Sequence, residues 1–176
     1  MVKQPLLSSV AFSSFWQAYR LSSNKEVTLR RGERAFSHAM LDHAQKAEAL
    51  FSQAKFEDFV DGLSITAARY ALSNLVVTTP ELEACGASLL TTAPEESHRQ
   101  TLALIKDAAA TKNYIGAAPL LSLQDMRFPM IKKNNERLYT LARATIVSAL
   151  DDGRLPDMRE AVGEELRAKV AKDVAT

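Results

Sequence analysis

Two histidines and an aspartate lie close together in the segment RGERAFSHAMLDHAQKAEALF, residues 31–51. They are His38, Asp42 and His43, and imidazole and carboxylate groups are the side chains that bind transition metals and transfer protons. On a helical wheel, His38 and Asp42 fall on the polar face, whereas His43 falls within the apolar face. The two histidines are about 140° apart, so a regular helix cannot direct both to one ion. We therefore predict two separate histidines rather than a joint site.

A second candidate for chemistry is the sequence EESH at residues 95–98. Its Glu-x-x-His spacing places Glu95 and His98 on one helix face, as in di-iron bundles, which need two such copies and two further glutamates. The chain has one copy. A metal- or haem-binding helical enzyme that uses His43, His98 and Glu95 is therefore only an alternative. We predict that His43 and His98 are core residues and expect no metal and no cofactor.

Other signs of catalysis are missing from the sequence. It contains no Gly-rich phosphate loop, no G-x-S-x-G elbow and no H-E-x-x-H motif. The one cysteine, Cys85, excludes an intrachain disulfide and a cysteine-based zinc cage. Because small residues surround it and no base is near in sequence, we predict a buried core thiol. The chain is expected not to be an enzyme.

Two groups of basic residues form candidate binding surfaces on the polar faces of two predicted helices. Such surfaces can contact phosphates, which makes a nucleic-acid-binding regulator an alternative. Trp16 and Tyr19 could stack on bases, but their spacing with Phe12 and Phe15 is that of a helix core, and we predict that they are buried. The basic residues are Arg30, Arg31 and Arg34 in the first group, and Lys132, Lys133, Arg137 and Arg143 in the second.

The sign of the charge alternates along the chain, although the net charge is only +1. Basic residues exceed acidic ones by six to three in residues 1–45 and by five to one in 126–150; acidic residues prevail by ten to six in 46–125 and by seven to five in 151–176. No window has the roughly 18 uninterrupted apolar residues of a membrane span. We expect a soluble, cytoplasmic protein that has no membrane partner.

Hydrophobic periodicity predicts helices throughout the chain. Strand signals are nearly absent, and capping residues or prolines mark most helix starts. The predicted fold is all-α, a mostly antiparallel bundle of about six or seven helices. The predicted helices cover about residues 9–21, 24–54, 56–75, 94–112, 130–150 and 157–174, and one more begins at Pro80.

This organisation favours a non-catalytic helical interaction protein, such as an adaptor, regulator or assembly factor. The partner would be another protein, the chain itself in a homo-oligomer, or both. We predict a bundle over residues 1–153 with a hinge around 113–122, followed by an amphipathic C-terminal helix over 154–176. That helix is expected to dock as an arm on its own bundle or on a neighbouring copy.

Overall fold

The computed structural model describes residues 4–20, 22–44, 51–111 and 113–174. Within these residues the chain is helical and contains no strand, which confirms the all-α prediction. The chain divides into two compact units, residues 1–50 and 51–176. This division differs from the predicted boundary at residues 153/154, because the C-terminal helix belongs to the second unit. The antiparallel arrangement stays a prediction.

Within residues 4–20 and 22–44, the first unit contains four short α-helices and one π-helical turn. Their starts are set by side chains that accept backbone hydrogen bonds: the Ser9 hydroxyl from Phe12, and the Asn24 side chain from Glu26 and Val27. Residues 45–50 of the long helix predicted over 24–54 lie outside the described residues. The elements are α1 (Gln4–Leu7), α2 (Val10–Ala18), α3 (Lys25–Leu29), the π-turn (Arg30–Arg34) and α4 (Ala35–Leu41).

The second unit contains the remaining helices and a second π-helical turn. The helix predicted over 56–75 is two helices, because Gly62 ends the first and the Ser64 hydroxyl caps the second by accepting from Ala67. The elements are α5 (Gln53–Asp61), α6 (Ile65–Ser73), α7 (Pro80–Thr91), α8 (Pro94–Thr111), α9 (Tyr114–Ala117), the π-turn (Leu121–Asp125), α10 (Arg137–Asp151) and α11 (Glu160–Val174).

Helix α8 is central to the second unit, and α5, α6, α7 and α9 all pack against it. The largest core cluster joins α5, α6, α8, α9 and the residues that follow α9 through buried apolar side chains. The predicted hinge at 113–122 contributes to this core, since its residues from Gly116 to Ser122 are buried. The core cluster consists of Phe56, Val60, Ala71, Ile105, Ala109, Tyr114, Ala118 and Leu121.

A long-range contact closes the end of α7. The guanidinium of Arg69, on α6, donates hydrogen bonds to the carbonyl oxygens of Leu89, Leu90 and Thr92. The last carbonyls of a helix have no partner within the helix, and a cation at that end is favoured by the helix dipole. Arg69 therefore fixes how α7 ends against α6.

No helix in the described part of the chain is both long enough and apolar enough to cross a membrane.

Candidate functional site

His43, His98 and Glu95 were the candidates for metal binding, and the structure gives the surroundings of each. His43 lies in the turn after α4 and is exposed, so the prediction that it is a core residue is wrong: α4 ends at Leu41, before the helix could turn His43 inward. His98, on α8, is partly buried and its Nδ1 has no hydrogen-bond partner, while Glu95 is exposed. The described residues contain no group of three His, Cys, Asp or Glu side chains that could hold a metal.

Cys85 is exposed on α7, so the prediction of a buried thiol is wrong. The side of α7 that packs is set by its neighbours. Leu89 is buried, and a Cβ added at Gly86 would come within 3.6 Å of Leu104 Cδ2 on α8. Cys85 lies about 100° around the helix from Gly86 but only about 40° from Leu89, so it borders the packed side, and the structure leaves it exposed there.

Arg143 lies inside the second unit instead of on a basic surface. Its side chain is 0% exposed, and all five of its N–H donors have acceptors. Nε and Nη2 both donate to Asp173 Oδ2, at 3.1 and 2.5 Å. Nη1 donates to the carbonyl oxygens of Lys132 (3.1 Å) and Asn134 (2.8 Å), and Nη2 donates also to Thr140 Oγ1 (3.2 Å). Arg143 thus joins α10, α11 and the segment before α10.

The other members of the second basic group do not share a helix face with Arg143. Residues 130–136 are not helical, and α10 begins only at Arg137, which is exposed. Lys133 forms an ion pair with Glu165. The Lys132 ammonium lies 5.1 Å from the ring centre of Tyr139 and 3.3 Å from its hydroxyl. The predicted helix face of Lys132, Lys133, Arg137 and Arg143 is therefore wrong as a structural prediction.

The electrostatics of the buried pair involve a second cation. Asp173 is only 8% exposed, and Lys169 Nζ lies 2.9 Å from its Oδ1. The hydrogen bond from Lys169, and then the one from Arg143, hold the pKa of the Asp173 carboxyl below its ordinary value of 3.8, although burial works in the opposite direction. The site is a charged clamp between helices rather than an open pocket.

Five aromatic side chains form what we call the aromatic surface of the first unit. Its members belong to α2, the residue after α2, and α4, and their ring centres are 5.1–6.1 Å apart in contacting pairs. No residue of α2 is buried, and Trp16 is 49% exposed. The prediction that Trp16 is buried is therefore wrong, and Tyr19 is partly buried. The members are Phe12, Phe15, Trp16, Tyr19 and Phe36.

The first basic group lies beside this surface in the chain and is exposed. Arg30, Arg31 and Arg34 occupy the π-turn, and no acidic side chain that the structure describes forms an ion pair with them. At the same turn, a Cβ added at Gly32 would come within 3.1 Å of the Tyr19 hydroxyl, so glycine lets this turn approach the end of α2 closely. These arginines and the aromatic surface thus belong to one small unit.

Sequence reasoning missed Asp173, the partner that explains Arg143. A signal was present: Lys169 and Asp173 lie one turn apart in the sector of α11 that also carries apolar residues. A buried charge in such a sector requires an opposite charge on the helix that faces it.

The described residues offer two candidate functional features, the aromatic surface of the first unit and the charged clamp of the second. The chain matches no protein-family model, no curated protein and no solved structure.

Proposed function

We propose that the chain is a non-catalytic helical interaction protein that binds a protein partner through the aromatic surface of its first unit. Adaptors, regulators and assembly factors work in this way, and a cytoplasmic setting is part of the proposal. The single observation that supports it is the half-exposed Trp16, which contacts four other aromatic rings without being buried by them.

The composition of this surface resembles the centre of protein–protein interfaces. Trp and Tyr are enriched among interface residues whose removal costs most, because they contribute a large apolar area and lose little rotamer entropy. A unit that contains Trp16, Phe12 and Phe15 yet buries no residue of α2 leaves apolar area in contact with water. Covering that area with a partner would gain about 25 cal/mol for each Å² of apolar surface removed from water.

We expect the variant Trp16→Ser to lose binding of the partner. A central aromatic residue of an interface contributes about 2 kcal/mol or more, which corresponds to an affinity lowered by about 30-fold. The measurement is quantitative mass spectrometry of proteins recovered with the full chain from a cell extract, together with solution mass by light scattering. Trp16 is the only tryptophan, so a blue shift of its fluorescence on adding a recovered protein tests direct contact.

The matched control is Val10→Ser, which changes another exposed apolar residue of α2, 81% exposed and on the opposite side of the helix from the aromatic rings. A protein that the native chain and Val10→Ser recover, and that Trp16→Ser loses, supports the proposal. Equal recovery and equal solution mass for all three chains would contradict it.

The second candidate function is nucleic-acid binding, and the observation that favours it is the exposure of Arg30, Arg31 and Arg34 on one turn. If these three arginines neutralise three phosphates, affinity for a labelled duplex falls by about 40-fold between 50 and 200 mM salt. Replacing all three by glutamine is expected to abolish this binding in fluorescence anisotropy. The control, Lys133→Gln with Arg137→Gln, should bind as the native chain does. The absence of binding at 50 mM salt would eliminate this function.

A further inference from the structure

Helix α11 is attached to the second unit by few apolar contacts. Of its residues, only Gly163 and Leu166 are buried, and Leu166 packs in a cluster with Leu120, Ile146, Ala149 and Leu155. Two of its apolar residues, Val162 and Val174, are exposed. Burial of one leucine contributes about 1.5–3 kcal/mol, so apolar packing alone does not account for a well-defined position of α11.

Polar contacts of both signs supply the rest of the attachment. The buried contact is Arg143–Asp173, with the acidic group on α11. At the surface, Glu165 pairs with Lys133, Arg167 Nη2 lies 2.7 Å from Asp151 Oδ1, and Lys169 Nζ lies 2.8 Å from Asn135 Oδ1. Each of these charged side chains of α11 contacts a group of opposite charge or a polar group. The surface therefore selects a helix that has these charges at these positions.

The surface that α11 covers consists mainly of Arg143 and Asp151 on α10 and of Lys133 and Asn135 before it, and we call it the α10 surface. Exposing this surface is costly. Without Asp173, the guanidinium of Arg143 would lose the one acidic group that accepts its hydrogen bonds among the residues that the structure describes. Breaking a buried ion pair by removing one partner costs about 3–5 kcal/mol. A free helix of the length of α11 is also only marginally stable in water. A chain with a released, unbound α11 is therefore poorly populated.

The link before α11 is short and polar. Leu155 is buried, but Pro156, Asp157 and Arg159 are exposed. The link is held by a turn in which the Met158 N–H donates to the Leu155 carbonyl oxygen. Every other contact named above joins α11 to residues that precede the link. Those contacts would be identical if α11 came from another copy of the chain.

We propose that α11 is an exchangeable arm, which binds either the α10 surface of its own chain or that of a second copy, so that two chains form a dimer by reciprocal exchange. The exchanged dimer contains two Arg143–Asp173 pairs, each formed between the two chains. Only the backbone conformation of the link between Leu155 and Glu160 differs from that of the single chain. A helix of another protein would have to reproduce the same alternation of charges. This proposal is independent of the aromatic surface, and Trp16→Ser should exchange as the native chain does.

Exchange can be detected with single cysteines in a Cys85→Ser background. One chain carries Asp151→Cys and the other Arg167→Cys, at the exposed ends of an existing ion pair. The two chains are mixed at high concentration, diluted, and treated with a flexible bismaleimide, which joins thiols that are too far apart for a disulfide. We expect an interchain cross-link whose yield rises with the concentration of mixing. The control mixture replaces Arg167→Cys by Ala168→Cys, which points about 100° away on α11 and should give severalfold less product.

Two further measurements test whether α11 exchanges between chains. A single chain that carries both Asp151→Cys and Arg167→Cys should form an intrachain cross-link when it is treated with the same bismaleimide at low concentration. If it does so and the mixtures form no interchain product above the control, exchange is refuted. Light scattering gives an independent answer for the full chain: a dimer fraction that grows with concentration, also in Trp16→Ser, is expected. A mass of one chain at every concentration would overturn the proposal.

Discussion

Replacing Arg143 by leucine is expected to lower the free energy of unfolding by about 3–5 kcal/mol, the usual cost of breaking a buried ion pair by removing one partner. The guanidinium supplies hydrogen bonds to the Asp173 carboxylate, to Thr140, and to the carbonyl oxygens of Lys132 and Asn134. Leucine fills part of the same volume but donates nothing. The largest loss is expected at Asp173, whose side chain is 8% exposed and which would keep only Lys169 as a charged partner.

The measurement is urea unfolding followed by circular dichroism. The control is Lys133→Leu, which removes the exposed ion pair with Glu165 and should change the free energy by at most about 1 kcal/mol. The double variant Arg143→Leu with Asp173→Leu should recover part of the loss, because a buried ion pair can be replaced by apolar side chains at little cost. Equal effects of Arg143→Leu and Lys133→Leu would show that the clamp does not stabilise the fold.

The clamp also has a signature in the pH dependence of stability. Lys169 and Arg143 lower the pKa of Asp173 in the folded chain, so the unfolded chain binds a proton more readily than the folded chain. The stabilisation is therefore present above the ordinary value of 3.8 and is lost as the pH falls from 3.8 through the lower folded value. In Asp173→Asn this contribution to acid unfolding should be missing.

Local sequence signals predicted the fold class and several helix ends. The abundance of helix-forming residues and the helical spacing of apolar ones are properties of short segments, and the all-α structure confirms them. Pro94 opens α8 as predicted, and α7 begins with Pro80 after Thr79. Gly153, which follows α10, adopts a left-handed φ of 69°, a conformation that glycine adopts without strain. Such features depend on backbone geometry within a few residues, which the sequence shows directly.

The errors arise where a residue's surroundings come from distant parts of the chain. The helical wheel placed Arg143 on a polar face, but a wheel cannot show that Asp173, thirty residues later, meets that face. The same limit applies to Trp16, whose spacing is that of a core residue although α2 has too few neighbours to cover it. His43 was misplaced for a local reason, since α4 ends two residues before it. Periodicity therefore predicts a helix more reliably than it predicts what faces the helix.

The second large effect is expected for Phe56→Ala in the core of the second unit, at about 3–5 kcal/mol. Phe56 is 0% exposed and stacks on the Tyr114 ring, with 5.0 Å between ring centres. It lies in the cluster that joins α5, α8 and the segment after α8 through Ile105 and Leu121. Truncation removes apolar contacts on several sides and leaves a cavity that the surrounding helices cannot fill without moving.

Because the chain divides into two units, the effect of Phe56→Ala on the second unit can be compared with its effect on the first. The cluster around Phe56 lies entirely within residues 51–176, whereas the only tryptophan, Trp16, lies in the first unit. We expect Phe56→Ala to shift the urea transition seen by circular dichroism to lower concentration and to leave the transition seen by Trp16 fluorescence in place. Multi-unit chains commonly unfold in separate steps, and probes that report different units then give different midpoints. If both transitions shift together, the two units unfold as one cooperative structure, and the aromatic surface of the first unit depends on the core of the second.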